Sequence, residues 1–96
     1  MLPPVLAYNA SVNGERQAVL AQQMDRPGEP LARVVAQFVR ELGLPGSLHE
    51  LRIGDEHLRD IAQRALAYEP VQRNPRPLKS GDDVMEILRL ARHGVL

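Results

Sequence analysis

The sequence predicts an all-α fold, about four helices in a small bundle, forming one domain over residues 1–96. Three observations lead there. Apolar residues recur at the i, i+3, i+4, i+7 spacing of a helical face in several segments. No segment sustains the period-two alternation of a half-buried strand. Connectors containing Pro and Gly separate the periodic segments, as helix stop and start signals do.

At the start of the chain, Met1 to Ala10 is an apolar run with no basic residue before it, and Asn9, Asn13 and Glu15 follow closely. It makes a poor signal peptide and is too short to cross a bilayer, so a cytoplasmic protein without membrane contact is expected. Ser11 to Met24 is a weaker helix candidate. Val12, Val19, Leu20 and Met24 share a rough face, while Asn13 and Gly14 disfavour a helix interior.

The clearest helix runs from Pro30 to Leu42, with Leu31, Val34, Val35, Phe38, Val39 and Leu42 on one side and Arg33, Gln37, Arg40 and Glu41 on the other. Pro30 suits the first turn, Gly43 suits the left-handed position just past the end, and Pro45 prevents resumption. Ser47 to Leu51 reads as a short capping-box turn, Ser47 at the N-cap with Glu50 three residues on. Asp55 to Tyr68 repeats the helical pattern through Leu58, Ile61, Ala62, Ala65 and Leu66, with acidic residues at its start and Pro70 closing it. The last helix opens at Ser80, carries Val84, Ile87, Leu88 and Ala91 on one face, and ends in Arg89, Arg92, His93 and Gly94.

Composition excludes several classes of function. There is no cysteine among the 96 residues, which removes a disulfide scaffold, a thiol nucleophile and any cysteine-bound zinc or iron–sulfur site. Tyr8, Phe38 and Tyr68 are too few aromatics for base stacking, and 12 Lys+Arg against 12 Asp+Glu leaves a formal charge of +0. No nucleic-acid partner is expected on that balance. A helix-turn-helix binder would need more basic character than the scattered arginines supply.

The candidates for chemistry are few. His49, His57 and His93 do not form the helical H-x-x-x-H spacing that aims two imidazoles at one metal. His57 sits beside Asp55, Glu56 and Asp60 and reads as an exposed histidine on a charged helix face. His93 reads as a partner for a helix C-terminus. The pairs Asp55/Glu56 and Asp82/Asp83 lie at helix starts, where the dipole already explains them. Gly81 at a helix start gives only a weak anion signal. The unusual segment is Glu69 to Ser80, EPVQRNPRPLKS. Pro75 and Pro77 force Asn74 and Arg76 into extended geometry, so the loop is stiff. It reads either as a rigid connector or as a platform presenting guanidinium groups to a carboxylate or phosphate.

At this loop the sequence becomes recognisable. Asn74-Pro75-Arg76-Pro77, followed by a charged helix start and an Ile87-Leu88 core, resembles the final stretch of iron-containing alcohol dehydrogenases, closest to the maleylacetate reductases. Leu2-Pro3-Pro4-Val5-Leu6-Ala7-Tyr8-Asn9 resembles their LPHVLAYN segment. Leu42-Gly43-Leu44-Pro45-Gly46-Ser47-Leu48 resembles their LGxPxSL turn. The likeness runs from Leu2 almost to His93, with the three motifs in family order. One departure is plain: the histidine of the opening motif is Pro4 here, and proline can neither bind a metal nor shuttle a proton.

The resemblance implies an N-terminal α/β domain that binds NAD(P) and a C-terminal helical domain that holds iron or zinc. In the family the metal ligands, an aspartate and histidines, precede the LPHVLAYN segment. Within these 96 residues it therefore implies no NAD(P) site, no metal ligand, no catalytic residue and no activity of the chain alone. It implies that Asn74 and Arg76 line or brace the substrate end of the cleft between the family's domains. Two expectations for partners follow: a separate nucleotide-binding subunit, or self-association through apolar surface left uncovered, with Leu2, Val5, Leu6 and Val95-Leu96 as candidates. In the latter case the chain is a stand-alone helical interaction module.

Overall fold

Pro3 and Pro4 open a helix rather than block one. In the computed structural model, which describes residues 1–95 and Asp55 by its backbone alone, helix α1 spans Leu2–Gln23. Both prolines fall in its first turn, where a backbone N–H would have no intrahelical partner. The expected helix from Ser11 thus begins nine residues earlier, and Asn13 marks a kink inside it, with non-helical φ −123° and ψ 29°. The kink has a visible cause. The buried Gln17 side chain donates from Nε2 to the Leu6 carbonyl and to Asn13 Oδ1, each at 2.9 Å, inserting itself between the two halves.

That insertion decides which face of α1 is buried. Pro4, Tyr8, Asn9, Gln17 and Ala21 turn inward. The expected apolar face of Val12, Val19, Leu20 and Met24 is instead exposed, each residue at 47–55%. Asp25 ends the helix at φ 61°; its N–H reaches Gln22 O at 3.0 Å and the Arg26 N–H reaches Ala21 O at 2.9 Å, a left-handed cap formed without glycine.

Helix α2 spans Leu31–Glu41, close to expectation, after Pro30 at its N-cap. Gly43 at φ 76° closes it, with Gly43 N–H to Arg40 O at 2.9 Å and Leu44 N–H to Val39 O at 3.2 Å. Leu31, Ala32 and Val34 are buried, but Phe38 and Leu42, on the same stripe, are 55% and 59% exposed. The helix packs on α1 at its beginning and runs past that cover at its end.

The Ser47 segment forms one turn and no longer helix. Ser47 Oγ accepts from the Glu50 N–H at 3.2 Å as expected, while the Glu50 carboxylate reaches back to the Gly46 N–H at 3.1 Å rather than to Ser47. Arg52, at φ 61°, closes the turn. The turn also caps another element: Leu48 N–H donates to Ala91 O at 2.8 Å and His49 N–H to Arg92 O at 3.2 Å, satisfying carbonyls at the end of the last helix.

Helix α3 spans Asp55–Leu66, and helix α4 spans Gly81–His93 with Gly94 at φ 81° beyond it. Between them a 3₁₀ turn covers Glu69–Arg73, with Pro70 in its second position, and the chain then extends through Asn74 to Lys79. Among the described residues there is no strand. The core joins Tyr8 to Leu58, Ala62, Leu78, Val84, Met85, Ile87 and Leu88, all less than a tenth exposed. Each fully buried leucine or isoleucine there stabilises the fold by roughly 1.5–3 kcal/mol. Ile61, expected inside, is 38% exposed at the edge of α3. Val5 and Leu6 are half-buried rather than free, Leu2 is exposed, Val95 is half-buried, and Leu96 lies outside the described residues.

Candidate functional site

The proline loop is fastened to α1 by side chains from both sides. Asn9 and Asn74 form a reciprocal amide pair: Asn9 Nδ2 donates to Asn74 Oδ1 at 3.1 Å, and Asn74 Nδ2 to Asn9 Oδ1 at 2.6 Å. The second hydrogen on Asn74 Nδ2 goes to the Arg76 carbonyl at 2.8 Å, which fixes the turn through Pro75. An amide offers two donors and one acceptor oxygen, so Asn74 is fully engaged. Burial of Asn9 at 5% exposure costs little because its polar atoms are paired.

Arg76 completes the fastening. Its Nη1 donates to the Tyr8 carbonyl at 3.0 Å, its guanidinium carbon lies 4.0 Å from the centre of the Tyr8 ring, and Nη2 stands 3.6 Å from Glu86 of α4. Tyr8 returns a bond, donating from its hydroxyl to the Pro77 carbonyl at 3.3 Å. Burial pushes the Tyr8 hydroxyl pKa above its ordinary 10.0, Asp83 and Glu86 add to the shift, and Arg76 opposes it. Three elements thus converge on one small joint: α1 through Tyr8 and Asn9, the loop through Asn74 and Arg76, and α4 through Glu86. The sequence singles out Asn74 and Arg76 from the prolines around them. It gives no local sign that Asn9 and Glu86 are their partners, because Asn9 lies 65 residues away from Asn74.

The remaining candidates do not join this cluster. His57 Nε2 stands 3.6 Å from Glu56 Oε1, with both side chains more than two-thirds exposed. Asp82 holds Arg59 of α3 at 3.1 Å on the surface, and Asp83 Oδ2 accepts the Lys79 N–H at 2.8 Å at the start of α4. Among the described residues no three His, Asp or Glu side chains gather as metal ligands would. No described helix is long and apolar enough to cross a membrane.

A second feature is an apolar groove of about 670 Å³ between the start of α1, the end of α2 and the turn after Pro45. Met1, Leu2, Pro4, Val39 and Leu44 line it. Pro4 presents a ring of carbons to this groove.

Fold and joint together define a helical domain in which the opening helix and the proline loop lock onto the last helix. Residues 1–92 match the family described as Fe-containing alcohol dehydrogenase family, C-terminal, and the chain belongs to that family. Membership implies dependence of the family's enzymes on NAD and a metal. No curated protein and no solved structure matches the chain.

Proposed function

We propose that the chain is the distal helical portion of an NAD(P)- and iron- or zinc-dependent oxidoreductase of the maleylacetate-reductase type. In this reading hydride transfer requires a nucleotide site and a metal cradle built from other residues. The task of these 96 residues is to hold one wall of the substrate cleft in place. The observation that carries the proposal is the joint itself. The LAYN-like end of the opening motif, through Tyr8 and Asn9, and the NPRP-like loop, through Asn74 and Arg76, are bonded directly to each other.

Asn74 and Arg76 act in this reading as braces, with their polar atoms spent on Asn9, Tyr8 and the loop's own backbone. The Arg76 side chain stays a third exposed, which in this reading leaves room for a carboxylate substrate to approach it. Pro4 contributes shape to the groove beside it and no proton.

Calorimetric titration of the purified chain with NADH, and separately with Fe²⁺ or Zn²⁺, tests the division of labour. No saturable micromolar binding is expected, and finding it for either would overturn that division. Co-expression with a nucleotide- and metal-binding portion from the same family tests the substrate class. Maleylacetate-dependent NADH oxidation is expected; turnover confined to simple alcohols would overturn the maleylacetate assignment.

A second reading, a stand-alone module that associates with itself, is favoured by the amount of surface. The chain exposes 6633 Å² at a mass of 10.7 kDa. A folded monomer of that mass exposes about 5,500 Å². Its radius of gyration, 13.7 Å, likewise exceeds the about 12.5 Å of a compact domain this long.

A further inference from the structure

The apolar core is shared unequally along the chain. It draws on the start of α1, on α3, on α4 and on the loops beside them, and none of its buried or half-buried members lies between residues 14 and 44. That segment holds the part of α1 after the kink and all of α2. Its own buried apolar residues are Ala21, Leu31, Ala32 and Val34, whereas Val19, Leu20, Met24, Phe38, Leu42 and Leu44 stand 47–59% exposed. Among the described residues α2 meets α1 and no other helix. A cleft of about 700 Å³ lies between Gln17 and Leu31 on one side and Leu90 on the other, and the groove of about 670 Å³ lies between Val39 and Pro4. Both ends of the segment fall at breaks in the backbone: the non-helical Asn13 followed by Gly14, and Gly43 at φ 76°. Arg26 spends its guanidinium inside the segment, on Glu29 and Gln37. Gln17 ties the segment to the rest, through its 2.9 Å bond to the Leu6 carbonyl.

We propose that residues 14–44 are an order–disorder element: this hairpin of two helices melts and re-forms on a body that stays folded, with Gln17 as its latch. The part of α1 after the kink and the 11 residues of α2 are each shorter than the about 12–15 residues at which an isolated helix persists in water. Each therefore depends on the other, and losing their mutual packing melts both. Segments with few buried apolar residues open at the low end of the range of local stabilities. The body loses none of its core when the hairpin melts, and the joint of Tyr8, Asn9, Asn74, Arg76 and Glu86 lies wholly within it. Melting turns the cleft beside Ala7 and Leu90 into open surface, so the folding of the hairpin sets access to that face.

Native-state hydrogen exchange of the full chain, read residue by residue by NMR, tests this. Amides of Ala21 and Val35 are expected to exchange through one common opening, roughly 100-fold or more faster than those of Ala62, Ile87 and Leu88. Arg76→Met loosens the body alone, so it should speed exchange in the body roughly 30-fold and leave the hairpin amides unchanged. Gln17→Leu removes the latch and should speed the hairpin roughly tenfold, and the body by the same factor, because both openings start from the latched state. Gly14→Ala serves if that variant does not fold. Its Cβ would meet nothing within 4 Å, and it should slow the hairpin roughly 2- to 5-fold. Hairpin amides as protected as the core, or speeded by Arg76→Met as much as the core, overturn the proposal. Scattered rates within residues 14–44 overturn their melting as one unit. Exchange unchanged in Gln17→Leu overturns the latch.

Discussion

Replacing Arg76 by methionine keeps an unbranched stem of similar volume and removes everything the guanidinium does. Its bond from Nη1 to the Tyr8 carbonyl is 3.0 Å and charge-assisted. With the side chain 33% exposed, the low end for such bonds applies, about 1.5 kcal/mol. Stacking on the Tyr8 ring at 4.0 Å adds about 0.5–1 kcal/mol at a site with some solvent access. The Glu86 contact, at 3.6 Å with half of the glutamate in water, adds close to nothing. The expected loss is about 2 kcal/mol, or a fall in Tm of roughly 8–16 °C for a domain of this size. Thermal unfolding followed by circular dichroism reads the shift, and urea unfolding with an unchanged m-value shows that the folded state, not the compactness of the unfolded one, was altered. Arg76→Lys should restore only part of the loss, since an ammonium cannot stack and bond to the carbonyl with the same planar fork. A methionine variant within about 0.5 kcal/mol of the parent would refute the assignment of Arg76 as a brace.

Three further outcomes follow from particular backbone and side-chain geometries. Asp25→Gly, at φ 61° beyond α1, should stabilise the chain by about 0.5–1 kcal/mol, because glycine occupies the left-handed region without the Cβ penalty; urea midpoints measure it. Gly94→Ala should destabilise by about 2 kcal/mol, as alanine is strained in a region that only glycine adopts freely, and its Cβ would meet Gly46 O at 3.2 Å. Because the folded Tyr8 pKa is raised above 10.0, the folded state binds more protons than the unfolded one just above that value. Its contribution to stability is therefore complete below pH 10 and is lost as pH rises through the folded pKa; stability-versus-pH curves of the parent and Tyr8→Phe should diverge there.

The three later helices are legible in the sequence because each has a single apolar stripe between recognisable stop signals. Gly43 takes the left-handed position that the sequence assigns it, and Val84, Ile87, Leu88 and Ala91 are all buried. The opening helix is not legible. Its inward residues include Asn9 and Gln17, whose polar atoms are satisfied by partners far along the chain or across a kink. Periodicity of apolar residues therefore points to Val12, Val19, Leu20 and Met24, the side that faces water. Phe38 and Leu42 fail in the opposite sense, since a stripe that is real in sequence is covered only over its first half. At the joint, prolines mark the loop, and likeness to a family motif marks the segment holding Tyr8 and Asn9. The bonds between them connect residues too distant for any local pattern to register.

That same joint fixes when the opening helix can settle. Tyr8 finds its acceptor at Pro77, 69 residues later, and Asn9 finds its mate 65 residues later. At synthesis rates of about 5–20 residues per second, the first turns wait roughly 3–14 s for the loop that will hold them. Throughout that interval Tyr8 has neither the Arg76 guanidinium nor the Leu78 and Val84 side chains to cover it. The earliest-made part of this domain is therefore among the last to be placed. Until then, the Leu58 and Ala62 side of α3 stands open where Tyr8 will cover it.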